Sequence, residues 1–307
     1  MKPSDLHVIT VHSNPVRYES RRRLHLEHQA RMAEVGVTLW VGEAVFGDRQ
    51  PEVTDPDNSR HIVFRCDSEV WLKEAIQNAV VERMPADIRF LMWEDADVEH
   101  LSKDWASETL EALQHYKVVQ PFSHVVDLGP DGEVIENHTA FVYQYEKGNR
   151  PGREYSPFMH PGYGWAWRRK AWDQAGGMIS RAICGAGDHH MALGLIGQAE
   201  KSLPGGIHPN YRKMVLDWQD HARRAVDGDI GHIPGTLLHT FHGWKADRRY
   251  QSRWSILVDN HYDPEVDVQL DSQGMLRLTG NKPQLRDDLR RYFRVRMEDG
   301  GRKSWPV

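Results

Sequence analysis

The stretch Phe90-Leu91-Met92-Trp93-Glu94-Asp95-Ala96-Asp97 decides how the rest of the chain is read, because an apolar, aromatic run ends abruptly in carboxylates. It is short and follows Pro85, which fits a buried strand with its acids at the carboxyl end. Open α/β sheets bind ligands at that edge. Asp95 and Asp97 are one residue apart, so on extended backbone they project to the same side and can share a cation. An ion that keeps positions free for substrate phosphates is typically held by only one or two carboxylates. Acidic pairs after strands also serve as helix caps or solvated loop residues, so the remainder of the chain must decide between these readings.

Upstream, Leu6 to Val11 is a β-rich run that breaks at His12-Ser13-Asn14-Pro15. A polar helix then runs to Val35-Gly36, with Leu24, Ala30 and Ala33 as a partial apolar face. Val37 to Val41 and His61 to Phe64 are further strands. Ser68 can cap the next helix, where Leu72, Ile76, Ala79 and Val80 lie on one face and Pro85 provides the stop. Strands and helices alternating in this way before residue 100 predict a mostly parallel sheet with crossover helices.

Downstream of the acids, Ala106, Leu110 and Leu113 mark the inner side of a helix, and Lys117 to Phe122 reads as a strand. Pro130-Asp131-Gly132 is a turn, and Thr139 to Tyr145 is expected to be another strand. From Gly148 to Tyr163 glycines and prolines predict a mobile loop, the kind of segment on which binding residues often sit. Pro161-Gly162-Tyr163-Gly164-Trp165-Ala166-Trp167 leads into a short helix ending at Gly176-Gly177. Glycines beside aromatics allow a backbone to approach a ligand closely. Cys184-Gly185-Ala186-Gly187-Asp188 opens another helix, where Asp188 by position alone reads as an N-cap.

Tyr211, Met214, Val215, Trp218 and Ala222 predict an amphipathic helix, and Leu237 to Gly243 a strand running into a loop that carries His242. In the helix that follows, Tyr250, Trp254, Leu257 and Val258 would face inward. Lys245, Arg248, Arg249 and Arg253 would then lie on its outer face, as a solvated surface or a phosphate clamp. The tail contains a hairpin, Val266–Leu270 with Met275–Leu278, and a basic helix after Pro283 with Leu285, Leu289, Tyr292 and Phe293 inward.

With 307 residues, a net charge of −5 and 39% hydrophobic residues, neither disorder nor a generally basic nucleic-acid binder is indicated. Two cysteines and no CxxC make a disulfide scaffold or a zinc-thiolate site an unlikely framework and suggest a reducing compartment. No apolar segment suits a signal peptide or a membrane span, so a cytoplasmic location is expected, the host cytoplasm if the chain is viral. Eleven Trp and eighteen His are available to an aromatic-rich cleft, although packing will use most of the Trp.

The order of parts resembles a GT-A-fold, family 2-like glycosyltransferase over about residues 6–245: a β/α half ending in Asp95-Ala96-Asp97, the Gly162-Tyr163-Gly164-Trp165 segment, an acidic helix start at Gly187-Asp188, and a late His242-Gly243. His242-Gly243 with Arg248-Arg249-Tyr250 and Arg253, then Tyr292-Phe293 and Glu298-Asp299-Gly300, is similar to glycosyltransferase-like proteins of bacteriophages. The resemblance implies an α/β fold with a mostly parallel mixed sheet flanked by helices. It implies a GT-A domain over 1–245, with a nucleotide-sugar half at about 1–100 and an acceptor half at about 101–245, and a helical and hairpin extension over 246–307.

The same resemblance implies a nucleotide-sugar donor, UDP-glucose or similar, contacted by His12, Ser13, Asn14, Asp67, Asp95 and Trp165. Asp95, Asp97 and His242 would hold Mn²⁺ or Mg²⁺, imidazole favouring the former. Asp188 would be the catalytic base of an inverting transfer. Tyr163, Trp167, Lys245, Arg248, Arg249 and Arg253 would touch acceptor or phosphate. The acceptor suggested by the tail is a hydroxymethylated base in phage-type DNA, with the Arg-rich helices on its backbone. A polysaccharide or protein acceptor remains open. So do a metal-dependent phosphohydrolase or nuclease and a non-catalytic sugar- or nucleic-acid-binding module.

Overall fold

The computed structural model describes residues 1–151, 159–250 and 252–300. It is an α/β architecture in which a large, mostly parallel sheet is covered by helices on both faces. The strands of this sheet are β1 (Leu6–Ser13), β2 (Thr38–Phe46), β3 (His61–Cys66), β4 (Phe90–Glu94), β6 (Val118–Gln120), β9 (Gly164–Arg168) and β10 (Ile230–His232). Their spatial order is β10-β6-β9-β4-β1-β2-β3, and only β9 runs against its neighbours.

Period-2 alternation divides the core between the two faces. Phe90 and Met92 of β4, with Leu6 and Val8 of β1, face the helices α1 (Glu19–Val35) and α3 (Trp105–His115). Leu91, Trp93, Trp165 and Trp167 face the opposite side, where α2 (Lys73–Arg83) packs together with α5 (Arg169–Ala175), α6 (Gly187–Leu195) and α7 (Pro209–Val226). Strands buried on both faces read as continuous apolar runs, and β4 does.

A smaller sheet, ordered β5-β11-β7-β8, stands beside the acidic end of β4. It consists of β5 (Val98–His100), β7 (His124–Leu128), β8 (Val134–Thr139) and β11 (Thr236–His239). The tail adds α8 (Trp254–Asp259), the hairpin β12 (Val268–Leu270) with β13 (Leu276–Leu278), and α9 (Pro283–Val295). Tyr262, Met275, Leu285 and Leu289 from this region belong to the same core as α2 and α7.

Several local expectations need correction. Residues Thr139 to Tyr145 do not form a strand: β8 ends at Thr139 and Phe141–Glu146 is a helix, α4, which buries Phe141 and Val142. An apolar run this short fits either state, and tertiary packing selected the helix. Ser68 does not cap α2, which starts at Lys73; the Ser68 hydroxyl instead accepts a hydrogen bond from the Leu278 amide of the tail hairpin. Ala30 and Ala33 are exposed, and the buried face of α1 is Leu24, His25, His28 and Met32. Of the loop expected between Gly148 and Tyr163, residues 152–158 lie outside the described residues.

Candidate metal and diphosphate site

Parallel pairing of β1 with β4 brings the loop after β1 and the loop after β4 to the same edge of the sheet. Between them opens a cleft of about 880 Å³. His12, Ser13 and Asn14 line one wall; the His12 ring and the Asn14 amide meet Glu52 at 3.0 and 3.1 Å. Asp95 lies on the floor, its amide donating to the Tyr163 carbonyl at 2.8 Å and its carboxylate paired with Lys73. Burial raises the Asp95 carboxyl above the usual range, opposed by Lys73 and reinforced by Asp97.

Asp97 enters β5, and the small sheet carries other groups to it. Val98 pairs in register with His239 of β11, and the Thr240 amide donates to the Asp97 carbonyl at 2.8 Å. Asp97 Oδ2 lies 2.7 Å from His242 Nε2, Asp97 Oδ1 lies 3.8 Å from His239 Nε2, and the two Nε2 atoms are 3.3 Å apart. Gly243 (φ 90°) turns the chain immediately afterwards, and a Cβ there would sit 2.9 Å from Glu298 Cα, so the loop can close on the tail only with glycine at this position.

Proton accounting shows what this cluster lacks. His239 Nδ1 is 2.8 Å from Asp127 Oδ1, and an ionised carboxylate only accepts, so Nδ1 carries the hydrogen. Burial draws the ring below the ordinary imidazole range, with Asp127 and Asp97 pulling the other way, so a neutral ring presents a bare lone pair at Nε2. Arg248 Nη2 lies 2.9 Å from His242 Nε2 and can only donate, so that atom is an acceptor too. Protonating His242 Nε2 would satisfy Asp97 but set it against the Arg248 N–H. Burial favours a higher value for the Asp97 carboxyl, whereas a proton on His242 or His239, together with Arg248, draws it well below the usual range, and a bound cation would do the same without that proton. Three lone-pair donors, one carboxylate and two imidazoles, therefore converge within 4.8 Å. The donor set fits a divalent ion, and two imidazoles suit Mn²⁺ better than Mg²⁺.

Beside the cluster are two arginines in an uncommon situation. Arg248 is 5% exposed and Arg253 8% exposed. Arg248 meets the Tyr250 hydroxyl at 3.1 Å and Arg253 the Tyr292 hydroxyl at 3.4 Å. Neither has a carboxylate at ion-pair distance among the described residues, and the Nε of each is buried without a hydrogen-bond partner. The neighbouring Arg296 and Arg21 both pair with Glu298. Buried charges are normally paired, so Arg248 and Arg253 leave a place for an anion. The outer-face expectation for them is thus corrected: α8 starts only at Trp254, and the turns before it direct both side chains into the cleft.

Asp188 lines the far wall. It is the second residue of α6 rather than its N-cap, which is Ala186, and its Oδ1 accepts from the His189 amide at 2.8 Å. A Cβ on Gly162 would stand 3.0 Å from Asp188 Oδ2, so glycine keeps the space before this carboxylate open.

The structure therefore brings His12, Ser13, Asn14, Asp95, Asp97, Tyr163, Asp188, His242, Lys245, Arg248 and Arg253 to one cleft. Other predicted site residues lie elsewhere. Trp165 and Trp167 are wholly buried in the sheet core, Trp165 donating to the Pro161 carbonyl, so neither can touch a ligand. Asp67 is largely exposed outside the cleft, 3.7 Å from Arg277, because β3 ends at the far side of the sheet. Arg249 points to solvent. Asp95 falls outside the three-donor cluster, and its carboxylate pairs with Lys73 instead. His239, Lys73 and Asp127 were not singled out from sequence. For His239 the signal was its spacing from His242, two histidines three positions apart at a strand exit.

No protein-family model and no curated protein matches the chain. Among solved structures it is similar to S. aureus TarS 1-349 in complex with UDP-GlcNAc, at 11% identity and a TM-score of 0.43, over 80% of this chain. The chain spans 60% of the length of that structure. It is also similar to Drosophila β1,4-galactosyltransferase 7, a mutant in complex with manganese, UDP-Gal and xylobiose, at 12% identity and a TM-score of 0.39, covering 91% of this chain and 98% of the other. At these scores the likeness says nothing about this chain's activity, which rests on the site itself.

Proposed function

We propose that the chain is a metal-dependent glycosyltransferase of the GT-A type, taking a UDP-linked or similar nucleotide sugar and transferring the sugar to a hydroxyl acceptor with inversion. One observation supports this above the others: a lone-pair cluster that needs a cation lies beside two buried arginines that need an anion, in a single cleft at the carboxyl edge of the sheet. A nucleoside diphosphate with its divalent ion is a ligand class that meets both needs.

Asp97, His239 and His242 would hold the ion. When bound, it supplies charge stabilisation to the departing diphosphate. Arg248 and Arg253, themselves buried, add fixed positive charge where negative charge grows as the bond from anomeric carbon to phosphate breaks. Lys73, held by Asp95, places a further ammonium on the cleft wall. Asp188 takes the proton from the attacking hydroxyl; the space before Oδ2 left by Gly162 is where that hydroxyl would approach.

The acceptor is a hydroxyl compound of open identity. The expectation of hydroxymethylated DNA gains nothing from the exposed arginines, which are largely ion-paired: Arg290 and Arg294 with Glu69, Arg286 with Asp287, and Arg291 with Asp288. No described helix is long and apolar enough to cross a membrane.

The test is release of nucleoside diphosphate from a panel of nucleotide sugars with and without Mn²⁺, followed by mass spectrometry of hydroxymethylated DNA, polysaccharide and protein acceptors. Mn²⁺-dependent release from at least one UDP-sugar is expected. Cleavage of plain phosphate esters without any sugar donor would favour a phosphohydrolase instead. Asp188→Asn should lower transfer about 10²–10⁴-fold with little change in donor KM; equal transfer by the variant would remove Asp188 as the base.

A further inference from the structure

Asp127 lies outside the three-donor cluster, yet is tied to it through His239. It sits on β7, in register with His239 of β11, which pairs on its other side with Val98, next to Asp97. The carboxylate is buried and receives donors on both oxygens. Oδ1 accepts from His239 Nδ1 at 2.8 Å and from the Tyr163 hydroxyl at 3.1 Å. Oδ2 meets His138 Nε2 at 2.7 Å and also pairs with the Lys245 ammonium. Lys245 further reaches Glu136 at 2.6 Å, tying down the loop that carries His242 and Arg248.

We propose that Asp127 is a positioning residue: it holds His239 as the Nδ1–H tautomer and fixes its rotation, so that the Nε2 lone pair faces Asp97 and His242. Metal-binding imidazoles commonly donate their other N–H to a carboxylate, which sets ring orientation and raises ligand basicity. The inference rests on reading Asp97, His239 and His242 as a cation site. The small sheet then has a defined purpose, since three adjacent strands align a ligand-bearing loop, a histidine and the carboxylate that orients it.

The neutral isostere should fail for a specific reason. In Asp127→Asn the side-chain oxygen must face Lys245, whose ammonium can only donate, and this turns the amide N–H₂ toward His239 Nδ1. His239 must then accept at Nδ1 and carry its hydrogen on Nε2, which removes the lone pair from the cluster.

Two measurements on the full chain test this. Long-range ¹H–¹⁵N correlation spectra of the metal-free protein, with His239 assigned by comparison with His239→Gln, report the tautomer. Titration with Mn²⁺ alone, followed by the electron paramagnetic resonance of the free ion, reports affinity. Wild type should show Nδ1–H. Asp127→Asn should show Nε2–H and bind Mn²⁺ about 10–100-fold more weakly. In a His239→Gln background the same substitution should change affinity no further.

A wild-type ring protonated on Nε2 would overturn the proposal without recourse to any variant. An unchanged tautomer and affinity in a folded Asp127→Asn protein would overturn it as well. So would an equal loss of affinity in the His239→Gln background, which would mean that Asp127 acts by a general structural route. Failure of wild type to bind Mn²⁺ would overturn the cation-site reading itself, and the metal-free tautomer measurement tells that failure apart from a failure of Asp127.

Discussion

Two clusters of the same chemical kind lie side by side at the small sheet, joined where His239 meets Asp127. Asp127, Glu136 and His138 form one, and Asp97, His239 and His242 the other. The first contains its own cation, because Lys245 reaches Asp127, Glu136 and, at 2.9 Å, His138. Among the described residues the second has no ammonium within it, and of its three members only the His242 ring is met by Arg248. The difference shows how to separate a structural acidic cluster from one that expects a ligand: ask whether the protein provides the counter-charge. The two arginines pose the same question with the sign reversed, and Glu74, a carboxylate buried outside both clusters, takes a third course.

The largest expected effect comes from removing the only carboxylate of the second cluster. Asp97→Asn should reduce Mn²⁺-dependent turnover of a nucleotide sugar by about 10²–10³-fold. Turnover within a factor of two of wild type would break the contrast between the clusters.

Next in size, Arg253→Met should raise the donor KM by about 30- to 1000-fold, the consequence of truncating one partner of a desolvated charge pair worth ~2–4 kcal/mol. The same variant should melt at an equal or higher temperature than wild type without ligand, because an unpaired buried cation is replaced by an apolar group of similar length. A drop in the ligand-free melting temperature, with donor KM unchanged, would show that Arg253 is a packing residue.

A smaller effect is expected at the first cluster. Lys245→Met should cost about 1–3 kcal/mol in denaturant unfolding, below the usual cost of breaking a buried pair because the lysine is substantially exposed. It should also create a second cation-seeking cluster, so Mn²⁺ should stabilise this variant more than it stabilises wild type. Equal stabilisation of the two would show that Lys245 is not a stand-in for a metal ion.

An effect confined to one pH window concerns Glu74, buried beside Gly187 with Oε2 lacking a partner. Its neighbour Lys73 is already committed to Asp95. Burial pushes the Glu74 carboxyl up to about 7, with Lys73 opposing and Asp188 adding to the shift. The folded state therefore holds a proton that the unfolded chain releases near 4.5. This contribution to stability is complete below 4.5 and is lost as pH rises from about 4.5 to 7, on the order of 3 kcal/mol. Glu74→Gln should flatten denaturant stability across that window, and an unchanged pH profile would show that Glu74 ionises freely in the fold.

Much of the frame was legible locally. The run Phe90–Glu94 forms a buried central strand, and Leu72, Ile76, Ala79 and Val80 do face the core. Periodicity reports these features because a face turned to the core must be apolar wherever that core lies. Errors concentrated where one periodicity served two structures, as at Thr139–Tyr145, or where a helix was assumed to extend too far, as at Arg248 and Arg253. Trp165 and Trp167 show the same limit: a tryptophan beside glycines reads equally as a ligand platform or as core, and the sheet consumed both.

By itself the sequence determined the alternation of strands and helices, the acidic end of the central strand, and the presence of a late histidine, since each depends on neighbours close along the chain. Tertiary structure alone decided that His239 and His242 join Asp97, that Asp95 pairs with Lys73, and that Arg248 and Arg253 are buried without carboxylate partners among the described residues. Those outcomes are set by strand register and by the path of the loops between strands. Whether a charge finds a counter-charge is a property of distance in space, to which spacing along the chain gives no measure.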